Sequence, residues 1–485
     1  MSGNDELMWL DATGQAELVA KGTAKPAELV EAAIARIERL NPRLNCVIFT
    51  RYDKGRAEAR ERDDIPDGPF RGVPFLMKDL LQTTEGEPFS WGWKPFKEAK
   101  LAAAATSYVA AKFRASGLIT LAQSTVPEWG ATLSTETRAW GATRNPWNAA
   151  RIAGGSSGGA AAAVASGMVA IAHGNDAGGS VRIPASFCGL VGLKPSRGRT
   201  SLGPAHAEFW HGLCEEGALV RSVRDAAAAL DVIAGYMPGD PWTAPPPARP
   251  FRDEVGQAPG RLRIGFMDRA PACHPGLHPE CAAAVLGAAK LLESLGHRVE
   301  RNSPAVLDDP TLTSAFGRVV AGGVARQAAA VEPMLGRAVG PDDFDEWTWF
   351  LVERGRRIKI VEYLAACEWF NHFSRAAAGW WSGGFDVLVT PTMAMPAPEL
   401  GIFKTRPGEH PRNVGVRLNE VSPFTAPWNI AGQPAISLPL HMTPDGLPVG
   451  VQLVAAYGRE DLLLRLSSQL EQAAPWADRH PRVQA

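Results

Sequence analysis

The run Ala153-Gly154-Gly155-Ser156-Ser157-Gly158-Gly159, followed by Asn175-Asp176-Ala177-Gly178-Gly179-Ser180-Val181-Arg182, decides how this chain is read. Between the two runs, residues 158–167 are small and predict a helix, and Met168 to Ala172 predict a buried strand. Two glycine-wrapped serines, Ser156 and Ser180, thus lie 24 residues apart on the loops of one helix–strand unit. Glycine permits the tight turns and close backbone approach that such loops need. A serine there sets its hydroxyl beside consecutive backbone N–H groups, as acyl transfer requires: a nucleophile next to an oxyanion site. One glycine–serine loop reads equally well as a flexible connector; two joined by a helix do not.

Outward from this unit, strands alternate with helices. Residues 23–41 predict a helix, with Thr23 as its cap, Pro26 in its first turn and Asn41-Pro42 as its stop. Gly72 to Asp79 read as a buried strand carrying Lys78. Residues 104–116 read as a helix, and Leu118–Ala122 as the next strand. Further strands are expected at Leu262–Phe266, Val387–Thr390, Ala435–Leu440 and Val449–Ala455, and helices near 279–295 and 459–473. This alternation predicts a layered α/β fold with a largely buried sheet. Pro238 to Pro259, with Pro245-Pro246-Pro247, is the one linker candidate. It reads as a surface excursion, because strands beyond it would complete the same sheet.

The 485 residues are 45% hydrophobic, ample for a large core. Fifty Lys and Arg against 51 Asp and Glu leave a net charge of −1 with no basic stripe, which argues against nucleic acid as a partner. Six scattered cysteines form no Cys-x-x-Cys pair and read as reduced thiols. The polar start Met1–Glu6 lacks the pattern of a signal peptide, and no apolar run is long enough to span a membrane. A cytoplasmic protein is expected.

A serine hydroxyl needs a base. His173 is the nearest histidine to Ser180, but it ends an apolar strand with no evident acidic partner, and reads better as a packed side chain. Lys78 also ends an apolar strand. Burial would lower its pKa and free the amine to act as a base near pH 7, whereas pairing with Asp79 would make it structural. Spacing leaves these readings open. Ser156 can link Lys78 to Ser180 as a relay without histidine.

These residues resemble a known family, the amidase signature enzymes. The likeness runs through Gly72-Val73-Pro74 with Lys78-Asp79, Gly154 to Gly159, Asp176 to Ala185, and Gly189 to Pro195. Asn429-Ile430-Ala431-Gly432-Gln433-Pro434-Ala435 and Gly446 to Gln452 continue it. Ala153 and Ser196 depart from the family's usual proline and threonine. Within the family the likeness runs to cyclic-amide hydrolases of the 6-aminohexanoate cyclic dimer type, through Trp140 to Trp147, His173 to Asp176 and Ala455 to Leu462.

The resemblance implies a single large α/β domain over 1–485, with a mixed central sheet sandwiched between helices. It comprises an N-terminal helical region at 1–65, a signature core at 70–200 and the excursion at 238–259. It implies a Ser–cisSer–Lys triad with Ser180 as nucleophile, Ser156 as bridging serine after a cis peptide, and Lys78 as base. Ala177, Gly178 and Gly179 would line the oxyanion hole, supported by Ser157, Asp176 and Arg182. No metal or cofactor is implied. The expected partners are a small-molecule amide and water, and a homodimer is left open. Ester or carbamate cleavage would be side activities. The alternative is the glutaminase component of a tRNA-dependent amidotransferase. Fifteen tryptophans include Trp91, Trp93, Trp129, Trp210, Trp347, Trp349 and Trp428 in segments that can border a cleft, with small Ala131 leaving room beside Trp129. Such a wall would favour apolar or aryl substrates.

Overall fold

Strands covered on both faces read as unbroken apolar runs, because successive side chains enter opposite layers. Phe75-Leu76-Met77 and Val387-Leu388-Val389 are such runs. In the computed structural model, which describes residues 7–60, 64–272 and 274–484, both are strands of one sheet. The N-terminal stretch Met1–Glu6 and Cys273 lie outside the described residues. The five described cysteines are free and buried, and no described helix is long and apolar enough to cross a membrane.

In chain order the strands are β1 Val47–Ile48, β2 Pro74–Lys78, β3 Ile119–Ser124, β4 Glu136–Thr137, β5 Gly141–Ala142, β6 Ile171–Asp176, β7 Val191–Lys194, β8 Glu215–Val220, β9 Arg263–Phe266, β10 Arg298–Arg301, β11 Val387–Pro391, β12 Ala435–Met442 and β13 Pro448–Ala455. β4 and β5 form a separate hairpin; the other eleven order as β1-β3-β2-β6-β8-β7-β12-β13-β11-β9-β10. β2 runs parallel to β3 and β6, and β9 parallel to β10 and β11. The strands between, from β6 through β8, β7, β12 and β13 to β11, are antiparallel. The sheet is therefore mixed.

Alternation along each strand divides the core. Phe75, Met77, Val387 and Val389 pack with helices Val223–Ile233, Pro279–Ser294 and Glu460–Ala473. Leu76 packs instead with helices Pro26–Leu44 and Gly158–Ala165, and Leu388 with helices Thr311–Leu335 and Ile360–Ser382. Full burial of each such side chain contributes about 1.5–3 kcal/mol. Strands on both sides of Pro238–Pro259 belong to this sheet, making one domain. The segment itself is largely exposed. Phe251 anchors it in the core, and Glu254 binds Arg249 and Arg465.

The first long helix departs from its sequence reading. It begins at Pro26 after Lys25 and continues past Pro42 to Leu44. Proline in a last turn removes only one N–H bond. The stop is Asn45, at φ 50°, ψ 54°. Asn41, inside the helix, accepts the N–H groups of Cys46 and Val47 on its side chain and so turns the chain into β1.

Candidate active site

The period of two that divides the core also separates Lys78 from Asp79. Asp79 accepts the backbone N–H of Ser90 at 2.8 Å, together with the Ser90 hydroxyl. Lys78, fully buried, turns the other way. Its Nζ lies 2.8 Å from Ser156 Oγ, 2.5 Å from Asn175 Oδ1 and 3.3 Å from Asn175 O. Asn175 Nδ2 donates to Leu80 O at 3.0 Å, which aims its oxygen at the amine. Burial drives the Lys78 pKa down from 10.5 to about 7, against the Glu216 and Asp176 carboxylates, which work to raise it.

Ser156 sits on the turn before helix Gly158–Ala165, and the Gly155–Ser156 peptide is cis. Gly159 lets that helix touch the end of β3: a Cβ there would lie 2.5 Å from Thr125 N and 2.6 Å from Thr125 O. Ser157 N donates to Ser180 O at 3.2 Å, tying the two serine loops together.

Asp176, the last residue of β6, organises the second loop. It accepts the N–H groups of Gly179 at 2.7 Å and Val181 at 3.1 Å. Arg182 donates to it through Nε at 3.0 Å and Nη2 at 2.8 Å. The other three donors of Arg182 go to Thr425 O, Gln452 Oε1 and Asn429 Oδ1 at 3.0, 2.8 and 2.7 Å. All five guanidinium N–H groups are therefore met. Burial alone would raise the Asp176 pKa; Arg182 and Asn429 reverse this and hold it well below the carboxylate range. Thr425 Oγ1 donates to Gly178 O at 2.6 Å, fixing the turn from the outside.

Gly179 stands at φ 128°, a conformation closed to other residues, with Thr425 and Ile183 where a Cβ would be. Its N–H is held by Asp176. Among the described residues no protein acceptor meets the N–H of Ala177, Gly178 or Ser180.

His173 has the acidic partner that its sequence context did not reveal. Its Nδ1 accepts Lys78 N–H at 3.3 Å, so Nε2 carries the proton and donates to Glu216 Oε2 at 2.5 Å. Glu216 comes from the neighbouring strand β8, and Gln82 also binds it. Histidine and glutamate are fully buried and mutually satisfied.

Ser156, Asn175, Ala177, Gly178 and Ser180 open on one cavity of about 600 Å³. Trp129, Trp210 and Trp347 line it, as does Ala131, whose carbonyl accepts Trp347 Nε1 at 2.9 Å. Trp93 and Trp428 are instead buried in the packing behind it, and Trp91 and Trp349 also lie outside its lining. Phe316, Val320 and Leu351, from helices Thr311–Leu335 and Glu346–Arg357, complete an apolar wall. Among the described residues no cluster of His, Cys, Asp or Glu is arranged to hold a metal ion.

Sequence reasoning assigned no role to Asn175, Thr425, Asn429 or Gln452. Asn429 and Gln452 lie inside the Asn429–Ala435 and Gly446–Gln452 runs, which was the available signal. Thr425 has none, and in the helical wall only Trp347, among the tryptophans, carried one.

Residues 28–464 match the sequence pattern of the Amidase family. A 6-aminohexanoate-cyclic-dimer hydrolase from a Pseudomonas species is 42% identical, over 98% of this chain and 97% of its own. A solved structure of 6-aminohexanoate cyclic dimer hydrolase complexed with substrate superposes with a TM-score of 0.94 at 41% identity, covering 99% of this chain and 100% of that one. A glutamyl-tRNA(Gln) amidotransferase chain from Thermotoga maritima is more distant, with a TM-score of 0.71 at 26% identity over 99% and 97%.

Proposed function

The chain belongs to the amidase family and is a hydrolase of carbon–nitrogen bonds other than peptide bonds; we propose that it cleaves small-molecule amides through an acyl-enzyme on Ser180, with Ser156 and Lys78 as a proton relay. The observation that carries this reading is the 2.8 Å contact between Lys78 Nζ and Ser156 Oγ, in a site where burial leaves the amine near half neutral at pH 7.

In the first half-reaction Ser180 Oγ attacks the amide carbonyl. Its proton passes to Ser156, whose own proton passes to neutral Lys78. The tetrahedral oxyanion rests on the Ala177 and Gly178 N–H groups, and loss of one such donor costs about 100- to 1000-fold. Gly179, expected as a third donor, shapes the turn while its N–H serves Asp176. Collapse returns the proton through the relay to the departing amine. Water then gives a proton to the relay, attacks the ester and frees the acid. Asp176, Ser157 and Arg182 act at one remove, by holding the loops.

The aromatic cavity supports apolar, aryl or cyclic amides as substrates, in line with the cyclic-amide hydrolase relatives, with ester and carbamate cleavage as side activities. The buried free cysteines favour the cytoplasm. The test is Ser180→Ala with labelling by a fluorophosphonate probe. Turnover should fall by at least about 1000-fold, as triad losses do, and labelling should vanish. Wild-type turnover in that variant overturns the reading. Glutaminase activity that needs a co-purifying partner would instead favour the amidotransferase alternative.

A further inference from the structure

Helix Glu346–Arg357 carries arginines 354, 356 and 357 in its last turn. Arg356 pairs with Glu332 at 3.5 Å and Arg357 with Glu353 at 3.7 Å. Arg354 differs from both: it is partly buried in the wall of the active-site cavity. Among the described residues no carboxylate, carbonyl or aromatic ring engages its guanidinium. Burial first, and then the like charge of Arg318, hold its pKa below the usual arginine value; no acidic group offsets them.

Two carboxylates of the same cavity wall, Asp308 and Asp309, are engaged elsewhere, and none of its three, Glu420 included, is paired with Arg354. Asp308 is gripped by both terminal nitrogens of Arg269 at 2.8 and 2.6 Å, and Asp309 accepts Thr311 N–H at 2.8 Å. A guanidinium offers five donors in a planar fork, and those of Arg354 are open to the cavity rather than sealed in the wall. A carboxylate meets that fork two bonds at a time.

The position of Arg354 sets where such a carboxylate would sit. Its Nη1 lies 3.5 Å from the point a Gly317 Cβ would occupy. The residue before Gly317, Phe316, puts its ring 3.0 Å from the point a Gly178 Cβ would occupy. One phenyl ring and one helix step therefore separate the guanidinium from the Gly178 segment. The anion would lie beyond the apolar body of the substrate, away from the scissile bond.

We propose that the preferred substrate is an amide whose apolar body ends in a carboxylate, which Arg354 binds. This rests on the amidase reading of the same cavity. The test uses two series of amides, with the carboxylate at the far end of either the acyl chain or the amine. Each acid is compared with its hydroxymethyl and aminomethyl analogues by chromatography of the freed amine. In at least one series kcat/KM should favour the acid over the alcohol by about 10- to 100-fold, the range for hydrogen bonds to charged groups. Arg354→Gln should bring that ratio to near one. Arg354→Glu should invert it toward the ammonium-terminated analogue, a gain that damage to the fold cannot produce. A wild-type ratio near one in both series, or a ratio kept in both variants, overturns the proposal and leaves the amidase reading standing. A protein inert on every member overturns both.

Discussion

Replacing Asn175 by aspartate adds one negative charge at the atom that already touches Lys78. Asn175 Oδ1 lies 2.5 Å from Lys78 Nζ, and both side chains are buried. An opposite charge at that distance raises a lysine pKa by about 1–3 units. From about 7, the amine would move to about 8–10. With neutral Lys78 as the base, activity falls as pH drops through this pKa. The acid limb of kcat/KM should therefore shift upward by the same 1–3 units. At pH 7 the neutral fraction falls from about one half to between roughly 0.09 and 0.001, a loss of about 5- to 500-fold. Raising the pH to 10 should restore much of it. Asparagine also donates to Leu80 O at 3.0 Å, and losing that bond costs about 1–3 kcal/mol of stability. This lowers Tm but does not move a pH limb, so the two effects separate. The assay is kcat/KM from pH 5 to 10 on a chromogenic anilide, with thermal melts at each pH. An unshifted acid limb in a folded Asn175→Asp protein would refute Lys78 as the base.

Three further outcomes follow from the same geometry. Arg182→Met strips two charge-assisted bonds from buried Asp176 and should cost about 3–5 kcal/mol in denaturant unfolding; Arg182→Lys should recover only part, since an ammonium cannot reproduce a five-donor fork. In the wild type Asp176 is held low, so its contribution is constant from pH 7 to about 4; without Arg182 burial raises the Asp176 pKa, the variant regains stability as that carboxylate protonates, and the stability gap should narrow as pH falls from 7 toward 4, whereas a constant gap would count against the assignment. Gly159→Ala, with Thr125 backbone at 2.5 Å, should abolish soluble folded protein, while Gly287→Ala, in helix Pro279–Ser294 with open space around it, should stabilise by about 0.5–1 kcal/mol; equal melts for the pair would refute the close-packing account.

The serine loops, the helix between them and the strand carrying Lys78 were legible from residue order alone; the strand expected at Met168–Ala172 instead runs Ile171–Asp176 and takes His173, Asn175 and Asp176 into the sheet. Glycine-enabled turns and apolar runs depend on neighbours in the chain. Even the helix error at Pro42 was local, a matter of three residues. The choice between His173 and Lys78 was not local. It depended on which way each side chain faces once β2, β6 and β8 pair, and on a glutamate 43 residues from that histidine. The brace of the Asp176–Arg182 loop is more remote still: Asn429 reaches Asp176 across 253 residues. In the two helices that wall the cavity, only Trp347 was foreshadowed by its residue type; Phe316, Val320 and Leu351 carry no sign of the site they cover.

Sequence by itself therefore determined the chemistry on offer: two serines in glycine turns and a lysine at the end of a buried strand. Only the tertiary structure decided which groups meet, because hydrogen bonds and desolvation act over a few ångströms in space, whatever the separation along the chain. The same 2.8 Å that joins Lys78 to Ser156 spans 78 residues of sequence, and the burial that lowers the lysine pKa is supplied by strands and helices from the whole domain.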